Sequence, residues 1–147
     1  MPQLSAHHAS VTVSDLERAV DFYQDALDLD VADRFEVGGD AFATAVGAEG
    51  ASGRFVHLVA GDGAADAADR VRIELVAFEP QGEPRGDGEL VQPGTSHVAF
   101  ETEDVDAAVA ELPDDATLVS EPQTTESGAR VVFLRDPEGN LVELLEP

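Results

Sequence analysis

Residues 94–112 read GTSHVAFETEDVDAAVAEL. A Pro93-Gly94 turn opens the stretch, and a strand-like run over 96–102 carries His97. The acidic residues Glu101, Glu103 and Asp104 lead into an Ala/Val run over 105–112 that reads as a helix. The same plan occurs once before. Residues 8–20 are HASVTVSDLERAV, and residues 97–109 are HVAFETEDVDAAV. At a constant offset of 89 residues His8 meets His97, Asp15 meets Asp104, and Ala19-Val20 meets Ala108-Val109. An internal repeat fixes the architecture before any single element does. The chain is two copies of one strand–helix module, each opening with a histidine.

Working outward, residues 4–13 read as the first strand, with Ala9, Val11 and Val13 on one face and His8, Ser10 and Thr12 on the other. Ser14 followed by Glu17 is a capping-box pattern, and the helix it starts runs to about Leu27. Leu16, Ala19, Val20, Tyr23 and Leu27 form its apolar stripe. Residues 30–37 read as a strand, 41–46 as strand or loop, 52–59 as a strand, 61–69 as a surface loop or short helix, and 71–78 as a strong strand. Residues 80–93 hold three Pro and three Gly and read as a linker. Beyond the second strand–helix pair, strands are expected over 116–120, 129–135 and 141–145, the last two joined by the turn Asp136-Pro137-Glu138-Gly139-Asn140. Each half therefore reads β-α-β-β-β: module one over about 4–79, the linker over about 80–93, and module two over about 94–147.

With 147 residues, 43% of them hydrophobic, the chain is long enough to fold around a real core. No apolar run reaches the roughly 18–20 residues of a membrane span, and no signal peptide is visible, so a cytoplasmic location is the expectation. The absence of cysteine removes disulfides, thiolate metal sites and cysteine nucleophiles together. There are 31 acidic residues against 8 basic ones, all arginine, for a net charge of −23. That charge argues against nucleic acid or an anionic membrane as partner. The acids are scattered rather than gathered into a run, which favours a salt-adapted, halophilic surface over a local acidic patch.

Four residues carry the chemistry. Val142-Glu143-Leu144 and Ile73-Glu74-Leu75 each set a lone glutamate inside an apolar strand, where burial is costly unless the acid is paired or metal-bound. Each closes a module that a histidine opens, in the order His8, Glu74, His97, Glu143. Two imidazoles and two carboxylates on facing sheets would make a mixed N/O site for a divalent first-row metal. Parity agrees: with the His and Glu on a pocket face, their apolar neighbours turn to the helix, and a one-residue slip would invert each face. Of the other histidines, His7 is expected to point to the face opposite His8. His57 reads as a satisfied or exposed strand histidine rather than a pocket residue. Arg72 and Val76 share the parity of Glu74, and Glu101 shares that of His97, an exposed charge being its expected fate.

The sequence resembles the vicinal oxygen chelate superfamily, which holds glyoxalase I, methylmalonyl-CoA epimerase, extradiol dioxygenases and fosfomycin- and bleomycin-resistance proteins. The resemblance rests on His8 followed by Val11-Thr12-Val13-Ser14-Asp15-Leu16 and Phe22-Tyr23, on Ser96-His97-Val98-Ala99-Phe100, and on residues 136–144, DPEGNLVEL. It implies an α+β fold of two tandem βαβββ modules, a single domain over 1–147, whose mixed sheet curls around a metal. It places the metal ligands on His8, Glu74, His97 and Glu143, and it implies a homodimer.

A glyoxalase I-like lyase or isomerase fits this set. Such enzymes bind a small-molecule substrate, such as the thiol adduct of an α-oxoaldehyde, and a divalent metal (Zn, Ni, Co or Mn). The metal chelates the vicinal oxygens and stabilises an enediolate while a carboxylate moves the proton. An epimerase of acyl-CoA would want a basic patch that this lysine-free chain lacks. An extradiol dioxygenase would want an acid/base tyrosine in the pocket, whereas the sole tyrosine, Tyr23, falls on the helix stripe. A non-enzymatic bleomycin-resistance-type binder would have no need of four ligands. The base is expected to be Glu143 or Glu74, because a metal-held imidazole has no free pair on its bound nitrogen. Glu143 is favoured, since its strand follows a tight turn and local movement costs little.

The charge makes a first prediction. At low ionic strength the Debye length reaches ~30 Å at about 0.01 M, so the acids repel across the whole molecule. The melting temperature should rise steeply between about 0.1 M and about 2 M KCl. A flat profile over that range would instead favour a functional acidic patch.

Overall fold

The computed structural model describes residues 1–61 and 70–147, so the loop or short helix expected over 61–69 falls almost wholly outside the described residues. The chain divides into two compact units, Met1–Glu83 and Pro84–Pro147. Both are built on the same plan, a mixed sheet with its helices interspersed between strands.

The first unit runs β1 (His8–Thr12), α1 (Leu16–Leu27), β2 (Leu29–Val37), α2 (Asp40–Val46), β3 (Ser52–Ala60) and β4 (Arg72–Glu79). Its sheet order is β1-β4-β3-β2, with β1 parallel to β4 and the remaining pairs antiparallel. A parallel β1–β4 pair requires a long crossover, which α1, β2, α2 and β3 supply. Helix α1 buries Leu16, Ala19, Val20, Phe22 and Tyr23, and packs against β2 and β4. Strand β4 lies inside the sheet, and Ile73 to Ala77 are all buried. That two-sided burial sets the environment of Glu74.

The second unit runs β5 (His97–Glu101), α3 (Val105–Ala110), β6 (Thr117–Leu118), β7 (Gln123–Thr124), β8 (Arg130–Arg135) and β9 (Leu141–Glu146). Its order is β5-β9-β8-β6, β5 lies parallel to β9, and β7 pairs with β8 off that path. Val105, Val132, Leu134, Val142 and Leu144 form its core. Arg130 reaches from β8 to Asp106 on α3, and its hydrogen bonds hold the Asp106 carboxyl below the ordinary aspartate value. No helix among the described residues is long and apolar enough to cross a membrane.

The structure corrects three local expectations. Residues 41–46 are neither strand nor loop but the body of α2. Its alanines are strong helix formers, Gly47 closes it in the left-handed conformation at φ 73°, and Phe42 packs on Phe55 and Phe78. The cap of α1 is Asp15 rather than Ser14, the Asp15 carboxylate accepting from the Arg18 amide at 3.1 Å. Asp104 repeats that cap at α3, accepting from the Ala107 amide at 2.8 Å, so the repeat aligns the two caps. Strand β7 was not anticipated; two polar residues give no periodic signal.

The turn between β8 and β9 aims the last strand. Buried Asp136 accepts from the amides of Glu138 and Asn140 and from the Asn140 side chain. Asp136→Ala should therefore destabilise the protein by about 2–4 kcal/mol, because several half-buried donors lose a charged acceptor. Urea unfolding of the two proteins measures it, and a loss under about 0.5 kcal/mol would mean that water replaces the carboxylate.

Candidate metal centre

Glu74 sits on an interior strand with neighbours on both sides. In register, β1 sets Ser10 opposite it and β3 sets His57 opposite it. The side chain is buried, 7% exposed, and both its oxygens are engaged. Ser10 donates its hydroxyl to Oε1 at 3.0 Å, and His57 Nε2 lies 2.7 Å from Oε2. His8, two residues before Ser10 on the same face, brings its Nε2 to 3.5 Å from Oε2. A buried carboxylate needs such compensation, and these strands supply it.

The histidines gather around this acid. Ring centroids are 5.1 Å apart for His7 and His8, 5.5 Å for His8 and His57, and 6.2 Å for His7 and His57. The Nδ1 atoms of His7 and His8 are 2.8 Å apart. Arg72 NH1 lies 3.2 Å from His57 Nδ1. One ligand atom each from His8, His57 and Glu74 lies within 4.8 Å of the others. Imidazole nitrogen and carboxylate oxygen are the donors a divalent first-row ion takes, so this group fits such an ion.

In the second unit the pairing recurs. His97 Nε2 lies 3.2 Å from Glu143 Oε2, with the side chains 37% and 18% exposed. Ala99 and Phe133 stand opposite Glu143 in register, and the Phe133 ring meets the His97 ring edge-on at 5.2 Å. Ala99 thus holds the place that Ser10 holds beside Glu74, and Phe133 the place of His57. Among the described residues Glu143 has one polar partner, His97.

The structure thus brings His8 to Glu74 and His97 to Glu143, two pairs in two units. Two expectations about neighbours change. His7 does not turn away from His8, because β1 begins only at His8 and strand alternation does not govern the residue before it. His57 is satisfied, as expected, but it is buried against Glu74 and stands among the site residues. The repeat could not reveal it, since the second copy carries phenylalanine there; the β3–β4 register is the signal that finds it. Arg72 reaches His57, Val76 is buried at 2% exposure, and Glu101 is exposed.

Comparison with known proteins gives the family and the fold. The family model for the Glyoxalase/Bleomycin resistance protein/Dioxygenase superfamily matches residues 5–144. Among solved structures, a glyoxalase family protein from Bacillus cereus is similar at 26% identity, with a TM-score of 0.83 over 99% of this chain and 95% of that one. The trypanothione-dependent glyoxalase I of Leishmania major shares the fold at 24% identity, TM-score 0.67, over 97% of this chain and 86% of that one. A glyoxalase family protein from Enterococcus faecalis shares it at 17% identity, TM-score 0.65, over 97% of each chain. No curated protein matches the chain.

Proposed function

The chain belongs to the Glyoxalase/Bleomycin resistance protein/Dioxygenase superfamily, and on that footing we propose that it is a metal-dependent lyase or isomerase of the glyoxalase I type. The observation that carries this reading is the duplicated pair. In each unit a histidine Nε2 faces a glutamate oxygen, at 3.5 Å for His8 and Glu74 and at 3.2 Å for His97 and Glu143. In this reading these four residues are the ligands of a divalent metal, Zn, Ni, Co or Mn, and the protein is a homodimer. The bound ion supplies Lewis-acid polarisation of the substrate's carbonyl oxygen.

The chain's own groups move the proton. A carboxylate takes it from the carbon next to the carbonyl, and the C–H electron pair shifts toward the carbonyl oxygen. The same carboxyl then returns the proton to the neighbouring carbon, so nothing is oxidised or reduced overall. Glu143 suits this role better than Glu74. Hydrogen bonds from Ser10 and His57 engage both oxygens of Glu74, whereas among the described residues Glu143 has a single polar partner, and it is the more exposed of the two. A carboxylate with one neighbour can turn toward a substrate; one held by several stays where it is.

The substrate class follows from the same reading: a small α-oxoaldehyde joined to a thiol. The thiol dependence of the Leishmania major enzyme makes such an adduct the first to try. The family match runs through both units, which supports reading 1–147 as one domain. A cytoplasmic setting and a salt-adapted surface belong to the proposal on the strength of the net charge of −23.

Two measurements test it. Protein purified without a histidine tag should carry near-stoichiometric divalent metal, lost on chelation, and His8→Ala should abolish uptake. Protein that takes up no Zn, Ni, Co or Mn would overturn the enzyme reading in favour of a metal-free ligand-binding protein. Glu143→Gln should keep most of its metal while turnover of methylglyoxal with a thiol falls about 10²–10⁴-fold, and Glu74→Gln should lose less activity. The reverse pattern exchanges the two roles, and full activity in both variants rules out proton transfer by a ligand carboxylate.

A further inference from the structure

We infer that His57 is a positioning residue that holds Glu74 in the orientation in which Glu74 and His8 accept a divalent metal, and that it is not itself a ligand. The inference rests on the metal-dependent reading proposed above. It begins with Arg72. A guanidinium has only donors, so the Arg72 contact at 3.2 Å requires a lone pair on His57 Nδ1. The proton of the neutral ring then sits on Nε2 and points at Glu74 Oε2, 2.7 Å away. A ligating nitrogen must offer a lone pair instead. While Arg72 holds Nδ1, the His57 nitrogen nearest the site is a donor to Glu74.

The other contacts complete the cradle. Ser10 donates to Oε1 at 3.0 Å, so each Glu74 oxygen takes one hydrogen bond and keeps a further lone pair. His8 presents Nε2 on the Glu74 side and sets its Nδ1 2.8 Å from His7 Nδ1. In the tautomer in which His8 donates its Nδ1 proton to His7, Nε2 is left free to ligate. A ligating histidine commonly hands its other ring N–H to a neighbour in this way, and ligating carboxylates are themselves hydrogen-bonded. The second unit is an internal control. Phe133 replaces His57 and Ala99 replaces Ser10 opposite Glu143, so the same sheet geometry tolerates a phenylalanine there. Filling space beside Phe35, whose ring meets His57 edge-on at 5.1 Å, does not require an imidazole. Donating to Glu74 requires an N–H that phenylalanine lacks.

The test uses Co(II) as probe, titrated into metal-free full-length protein and followed by its visible absorption and by competition with a chelator. His57→Phe should weaken Co(II) binding about 10–100-fold while the absorption bands at saturation stay where they are in the wild type. His57→Gln, whose amide N–H can take the place of Nε2–H, should recover most of the affinity with the same bands. Should His57→Phe fail to fold, His57→Asn, whose amide is too short to reach Glu74, should show the same loss. Wild-type affinity in the Phe or Asn variant overturns the inference. Shifted bands in His57→Gln overturn it too, by making His57 a ligand. Wild-type protein that binds no Co(II) removes the proposed function as well, whereas wild-type binding with unaffected variants removes this inference alone.

Discussion

Glu74 is a carboxylate in the interior strand of a four-stranded sheet, with Ile73 and Leu75 buried on the face it does not use. Left alone there it would be strongly unfavourable, and the first unit is arranged so that it is not alone. Its partners come from the strands on either side, Ser10 on β1 and His57 on β3, while Arg72 on β4 itself steadies His57. Each contact depends on register. Slipping β1 or β3 by one residue would carry the partner to the opposite face and leave the carboxylate without its donor. The placement of Glu74 and the pairing of three strands are thus one constraint.

The second unit repeats the fold without repeating the constraint. Glu143 also lies on an interior strand, between β5 and β8, and its neighbours Val142 and Leu144 are buried. Its cross-strand partners, Ala99 and Phe133, have no side-chain donor. The carboxylate is more exposed than Glu74 and rests on His97. Two copies of one plan have become a tightly held acid and a loosely held acid.

Arginine is scarce in this chain, and several of its arginines have specific work. Arg72 meets His57, Arg130 ties β8 to α3, Arg34 pairs with Glu17, and Arg135 donates to the carbonyls of Gly139 and Gly88. With 31 acids against 8 arginines, the carboxylates far outnumber the side-chain cations that could pair with them. Their mutual repulsion is long-ranged and is weakened by salt, unlike the short contacts that hold Glu74.

The repeat at an offset of 89 residues was legible in the sequence, and with it the βαβββ plan, the apolar stripe of the first helix, and the His8, Glu74, His97 and Glu143 pattern. These are local or periodic features: a strand or helix writes its buried face into every second or every third to fourth residue. The helix α2, the brief strand β7 and the cap at Asp15 were misread or missed because short elements have too few residues to set a period, and because Ser14 and Asp15 are both good caps. The role of His57 was out of reach for a different reason. It depends on which residue of β3 stands opposite Glu74 across a hairpin whose connecting segment carries no register signal, and the repeat is silent where one copy has histidine and the other phenylalanine. Sequence determined which residues could do chemistry. Only the pairing of the strands decided that Glu74 is gripped by Ser10 and His57 while Glu143 is not, because cross-strand register belongs to two segments at once.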